Sequence, residues 1–504
     1  MNATLPFPEF AESRRTYKPK RSLARRIFSF PVAIAGVLSA LAVLAARGRF
    51  SDPDLWWHLK TGQFIWNNHQ IPTTDHFSFT AAGHAWIPHE WLAQFAIFTA
   101  WRIGGNTGLM LTFCAVASAI LIAGYALCAA YSRNAKVAFI GALAIFVFAV
   151  SGFSIRPQLL GYLLLIAELG IFHLARSRSA KWFFALVPLF VLWVNVHGSF
   201  FLGLIVASVV YACSFFQFEA GALFADSWQP SQRKVLGTAL GLSVLATLLN
   251  PGGIRQVLYP LNTMLRQPIN LASMEELHPL ALNSQRGVCL LAIVGSIFLL
   301  IVLRKAELYL DELILLALGV WLAGSYERMV FVFGILAAPI LSRVLAGLWE
   351  NYNPERDRIL PNALLLTLAV VVIFAAFPNA KNIAGQIEEQ NPVKAVEYLR
   401  GHPIPGNMLN QYQFGGYLIW AAPEHPVFID GRADLYEWAG ILGQYTDWSG
   451  LKADPKAMLD KYRINLCLLS AQSPMVHAMA LLPSWKQVYA DRNAVILQRI
   501  SPLQ

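Results

Sequence analysis

The sequence predicts an α-helical polytopic membrane protein of about eleven transmembrane helices, closed by a small C-terminal α/β extracytoplasmic domain. Three observations carry this. Of 504 residues, 56% are hydrophobic and only 13% charged, whereas ordinary soluble domains are about 25% charged. The apolar residues fall in runs of roughly 17 to 24, enough to cross about 30 Å of hydrocarbon at 1.5 Å per residue. Lys and Arg gather in alternate loops, the asymmetry that orients membrane helices.

Taken in order, the chain opens with a basic arm, residues 1–29, whose seven cations (Arg14, Arg15, Lys18, Lys20, Arg21, Arg25 and Arg26) assign it to the cytoplasm. No small-residue cleavage site follows the first apolar run, so residues 30–47 read as a retained span. Further spans are expected near 108–130, 136–153, 158–175, 182–196, 199–217, 235–250, 287–303, 309–325, 328–346 and 360–378. The loops with Arg133 and Lys136, with Arg176, Arg178 and Lys181, with Arg304 and Lys305, and with Arg356 and Arg358 then lie inside. An odd number of spans leaves the tail outside. The expected organisation is an arm at 1–29, a transmembrane domain at 30–379 with a large first outer loop at 48–107, and an outer α/β domain at 380–504. The chain is integral to the inner (plasma) membrane in this reading.

The tail alternates helix-like stretches (Pro392 to Arg400, Pro455 to Tyr462) with short strand-like runs at 426–429, 464–468 and 494–497, enough for a small α/β domain. The net charge of +10 is a topology signal and a contact with anionic lipid. No basic patch is interleaved with exposed aromatics in a soluble segment, so nucleic acid is not an expected partner. The five cysteines follow no pairing logic and imply no disulfide framework.

The residues that carry chemistry sit at the outer ends of the spans. The first loop holds Ser51-Asp52-Pro53-Asp54-Leu55-Trp56-Trp57-His58 and ends in Pro88-His89-Glu90-Trp91. Carboxylates held at a bilayer surface are costly unless they bind something. Arg156 lies between spans three and four, Asn195 and His197 between five and six, Asn250, Arg255 and Tyr259 after seven, and Tyr326, Glu327 and Arg328 between nine and ten. Inner loops carry mainly the cations that orientation explains, so the asymmetry favours an outward-facing site.

Each candidate also has a structural reading. Asp52 or Asp54 would cap the helix starting near Leu55, and Glu90 would favour the dipole of the helix after it. His58, His69, His76, His84 and His89 crowd one loop, but their spacings match no tight zinc pattern. The loop tryptophans suit an interfacial belt. Arg328 beside Glu327 suits a local ion pair. Glu168, well inside span four, is a functional candidate by position. In the tail, Gly415-Gly416 allows close backbone approach, while Asp430, Arg432 and Asp434 either hold an acceptor or brace the domain.

An Asp-x-Asp directly after the first span, a large first outer loop ending in His-Glu before an amphipathic helix, about eleven spans and an outer α/β domain resemble GT-C superfamily glycosyltransferases. The nearest pattern is that of bacterial protein-mannosyltransferase, aminoarabinose-transferase and oligosaccharyltransferase-like proteins. The resemblance implies transfer of a sugar from a polyprenyl-phosphate donor to a glycan, lipid or protein acceptor on the outer face. By position, Asp52 or Asp54 is then the loop acid serving as base or metal ligand, and Glu90 the second acid. The tail lacks a Trp-Trp-Asp signature, which argues against protein N-glycosylation.

Such a reaction needs cations at the leaving phosphate, expected from Arg156, Arg255 and Arg328, and a carboxylate to deprotonate the acceptor, expected from Asp54. His58, His89, His197, Asn195 and Tyr326 are the expected substrate contacts. Asp52, Asp54 and Glu90 would suit a divalent cation such as Mg or Mn. The competing expectation is a transporter or flippase-like lipid-handling protein without catalysis, which would depend on Glu168.

Overall fold

A computed structural model describes residues 22–50, 52–273, 277–303 and 306–500. Arg14, Arg15, Lys18, Lys20, Arg21, Ser51, Arg304 and Lys305 lie outside the described residues. The chain is mostly helical. Helices follow the apolar runs: α1 (Phe30–Ala46), α2 (Leu55–Asn68), α3 (Trp91–Ser132), α4 (Ala135–Ala149), α5 (Gln158–Ser177), α6 (Leu186–Val196) and α7 (Phe200–Cys213). A short hairpin, β1 (Phe218–Ala220) and β2 (Leu223–Ala225), precedes α8 (Pro230–Ala246), α9 (Ile254–Arg266) and α10 (Gln285–Val302). After β3 (Leu308–Tyr309), which pairs with β2, come α11 (Leu310–Ser325), α12 (Val330–Ala346) and α13 (Ile359–Ala376).

Among the described residues, five helices are long and apolar enough to cross a membrane: Trp91–Ser132, Gln158–Ser177, Gln285–Val302, Glu327–Ala346 and Ile359–Ala376. The burial pattern explains their arrangement. α12 is enclosed along nearly its whole length, whereas α10 and α13 turn Leu291, Phe298, Leu364 and Phe374 outward. Apolar faces of that size without a protein partner call for lipid. The run from Trp91 to Ser132 is not one straight rod. At Gly104 and Gly105 the backbone leaves helical geometry, with Gly105 at φ +58°, a region glycine enters without a Cβ clash. The break separates a segment beside the first loop from the long apolar span.

Residues 380–500 carry a four-stranded sheet in the order β4 (Asn407–Asn410), β5 (Ile464–Ser470), β7 (Ala494–Arg499), β6 (Trp485–Ala490). β4 and β5 run parallel; β5–β7 and β6–β7 are antiparallel. Of the expected strands, 464–468 and 494–497 lie within β5 and β7. The run 426–429 lies outside this sheet because it pairs with the first loop: the Val427 N–H donates to Phe77 O at 3.2 Å and Phe79 N–H returns to Val427 O at 3.1 Å. That pairing presses the tail onto the loop bearing the acidic motifs.

Candidate active site

The motif after α1 shows which aspartate does what. Asp52 Oδ1 accepts the Asp54 N–H at 2.9 Å, closing the turn that starts α2. Asp54 occupies the cap position, yet its side chain caps nothing. Its Oδ1 accepts from Trp57 Nε1 at 3.1 Å, and its Oδ2 lies 3.1 Å from Arg156 Nη2. Arg156 also places Nε 2.6 Å from Asp52 Oδ2. The local structural duty therefore falls to Asp52, which leaves Asp54 with oxygen lone pairs for chemistry. Burial pushes the Asp54 carboxyl up to about 6; the Arg156 charge opposes this and Asp52 reinforces it.

Glu90 precedes α3 and is ringed by imidazoles. His197 Nε2 is 3.4 Å away, His89 Nε2 3.7 Å and His58 Nδ1 3.9 Å. Burial pushes Glu90 up to about 8, helped by the Asp54 charge and opposed by Arg156 and Arg328. The same burial holds His89 down to about 4, His197 to about 3 and His58 well below its usual value. Glu90 is thus a protonated acid near neutral pH among neutral rings. His197 Nδ1 accepts the Ser199 N–H at 3.1 Å, which leaves its proton on Nε2, facing Glu90.

The tail completes the site through close approach. A Cβ on Gly431 would sit 1.9 Å from Asp54 Oδ1, and one on Gly416 2.4 Å from Pro53 O. Only the absence of side chains at both positions lets the tail's backbone lie against the Asp-Pro-Asp turn. Next to it, Arg432 is fully buried and bonds Asp430 at 2.7 Å and Asp75 at 2.6 Å, beneath Trp86. Asp430 and Arg432 are a brace between tail and first loop. Asp434 accepts from Tyr259 at 2.9 Å, and the Tyr259 ring stacks on His89 at 4.1 Å.

A cavity of about 360 Å³ opens beside Asp52 and Arg156, lined also by Arg49, Arg286, Arg328, Gln158, Tyr162 and Glu327. Four guanidinium groups share this cavity with the carboxylates of Asp52 and Glu327. Arg286 pairs with Glu327 at 2.7 Å, so Glu327 is not the partner of Arg328. Among the described residues Arg49 and Arg328 form no ion pair; they reach Val150 O and Gln158 Oε1, each at 3.4 Å. Arg49 and Arg286 were missed in the sequence. Both flank a span at the end that the charge pattern assigns to the outside, so the argument that singled out Arg156, a cation running against the inside bias, applies to them equally.

Asp54, bonded to Arg156, and the Glu90 cluster with His58, His89 and His197 do not line this cavity, and three further expected site residues belong to neither group. Arg255 is exposed on α9 and does not line the cavity, because the buried face of this amphipathic helix belongs to Gln256, which donates to Val194 O at 2.7 Å. Asn195 is committed to scaffolding: it accepts from Trp91 Nε1 at 2.7 Å and donates to Val191 O and Leu249 O. Tyr326 ends α11 next to the cavity without lining it. Asp52, Asp54 and Glu90, the expected metal ligands, are not gathered around one point. Arg156 lies against both aspartates, and among the described residues no group of three His, Cys, Asp or Glu side chains is placed to hold a metal. His69 and His76 are likewise dispersed, one ending α2 and the other stacked on Phe64.

No protein-family model and no curated protein matches the sequence. Solved structures match in fold. The apo oligosaccharyltransferase of Archaeoglobus fulgidus aligns with TM-score 0.54 at 14% identity, covering 88% of this chain and 69% of its own. The same protein tethered with an acceptor peptide containing the NVT sequon gives 0.53 at 14% identity, covering 88% and 70%. ArnT from Cupriavidus metallidurans, bound to undecaprenyl phosphate, aligns with TM-score 0.52 at 14% identity, covering 94% of this chain and 98% of its own.

Proposed function

We propose that this chain, which has the GT-C fold, is a glycosyltransferase that moves a sugar from a polyprenyl-phosphate donor to an envelope acceptor on the outer face of the membrane. The observation that carries the reading is Asp54: a half-buried carboxylate released from capping duty and held 3.1 Å from Arg156, which lines a cavity rich in arginine. Eleven spans, a cytoplasmic N-terminus and an outer tail belong to the same reading, since they put every one of these groups on one side. In the reaction, an acceptor hydroxyl oxygen attacks the anomeric carbon, the bond from that carbon to the phosphate oxygen breaks, and the hydroxyl proton passes to Asp54. The polyprenyl phosphate leaves with one more negative charge, and Arg328 and Arg49, which have no carboxylate partner among the described residues, are suited to stabilise it. Glu90, protonated, donates a hydrogen bond to the sugar or the departing phosphate. His58, His89 and His197 keep it in place.

One observation favours a second reading. Both carboxylate oxygens of Glu168 are buried without a hydrogen-bond partner among the described residues, inside α5. Lipid translocation without catalysis would rest on that group. The two readings separate in proteoliposomes given a polyprenyl-phosphate-linked sugar and an envelope acceptor fraction. Sugar transfer that survives Glu168→Gln supports the transferase. Absence of transfer, with lipid translocation that Glu168→Gln abolishes, supports the alternative.

A further inference from the structure

A second cavity, of about 430 Å³, lies at the opposite end of the helices and plays no part in the reaction above. α12 shows the separation: Val330 lines the first cavity and Arg343 the second, and the step of thirteen residues from one to the other spans about 20 Å of helix. The walls have two kinds of surface. One is aromatic and apolar, from Phe183, Trp228 and Tyr309. The other is charged: Arg133, Arg176 and Arg343 share it with Asp311 and Glu312, which pair with the latter two arginines, and with Asp226.

The three arginines are not equivalent. Arg343 is committed to Glu312 and to Glu307 O, over the Tyr309 ring. Arg176 pairs with Asp311 while keeping its face against Trp228, and it remains about a third exposed. Arg133 ends α3 in the left-handed region, at φ +51°, is exposed, and has no hydrogen bond or ion pair among the described residues. An unpaired guanidinium at the rim, a second one accessible behind it and an aromatic wall beside both match a group that is anionic at one end and apolar at the other. This is also the end of the bundle where Arg133, Lys136, Arg178 and Lys181 gather, the composition that attracts anionic lipid.

We propose that this cavity binds the phosphate head group of an acidic phospholipid, with Arg133 and Arg176 on the phosphate and the upper acyl chain against Phe183 and Trp228. A bound lipid would tie together the ends of α3, α5, α7 and α11, all of which contribute to the wall.

The test uses the purified full-length protein in detergent, with native mass spectrometry reading bound lipid after addition of phosphatidylglycerol or phosphatidylcholine. One phosphatidylglycerol should be retained in preference to phosphatidylcholine, and Arg133→Ala and Arg176→Ala should each weaken retention about fivefold. Arg133→Ala is decisive if Arg176→Ala fails to fold, because Arg133 is exposed and supports no other side chain. Equal retention of the two lipids, or retention unchanged in Arg133→Ala, overturns the proposal. Displacement of phosphatidylglycerol by millimolar inorganic phosphate would assign the site to a soluble phosphate and overturn the lipid assignment.

Discussion

Two arginine–carboxylate clusters meet at Gly431 and differ in one respect. Around Arg432 everything is closed: its side chain is 1% exposed, Asp75 and Asp430 are at 0%, and Tyr436 also donates to Asp430. Around Arg156 the cluster is open, with the Arg156 side chain 25% exposed where it lines a cavity and Asp54, bonded to it, 22% exposed. A buried charge whose partners are all present holds a fold together; one left accessible beside a cavity is available to a ligand. Both clusters read alike as sequence, an arginine and some aspartates near a membrane surface. Burial separates them.

The largest expected effect comes from breaking the closed cluster. Arg432→Met leaves Asp75 and Asp430 buried without their cation, which costs about 3–5 kcal/mol, and the protein should lose its cooperative thermal unfolding in detergent. If Arg432→Met unfolds like the parent, the brace is misidentified. Gly431→Ala comes next, since its new Cβ cannot coexist with Asp54 Oδ1 in the present arrangement. Displacing a reacting group by about 1 Å costs about 10²-fold in rate, so transfer should fall by that order with the sheet intact by circular dichroism.

Smaller effects sharpen the role of the open cluster. With Asp54 held near 6 and Glu90 near 8, transfer should rise with pH as Asp54 loses its proton and fall again as Glu90 loses its own. Glu90→Gln keeps a neutral donor, so transfer at neutral pH should drop only about tenfold, the value of one hydrogen bond, and the alkaline decline should vanish. A decline that persists in Glu90→Gln would place the titrating group elsewhere. Arg255→Ala, on the exposed face of α9, should leave transfer unchanged; a marked loss would return it to the phosphate site.

Much of this was legible in the chain. Apolar runs locate helices because the bilayer demands them, and Asp52, Asp54 and Glu90 stood out because acids at that boundary are costly. What stayed hidden depends on distance in sequence. Arg432 and Asp75 are 357 residues apart, and nothing local announces their pairing. Val427 reads as a strand and is one residue of a pairing with the first loop, not of the tail's sheet. β4, Asn-Met-Leu-Asn, has too little apolar alternation to be seen. That neither neighbouring aspartate caps α2 with its side chain, Asp52 instead taking the Asp54 N–H, is a matter of turn geometry that the sequence does not show.

The account stands most directly on Asp54→Asn, measured for transfer rate and thermal unfolding in the same preparation. Asparagine keeps the size and can accept from Trp57, but it removes the base, and general-base loss costs about 10²–10⁴-fold in rate. The predicted result is a protein that inserts and unfolds like the parent while transfer falls by that factor. Near-full transfer by Asp54→Asn, with unfolding unchanged, would contradict the account and leave this aspartate a structural residue.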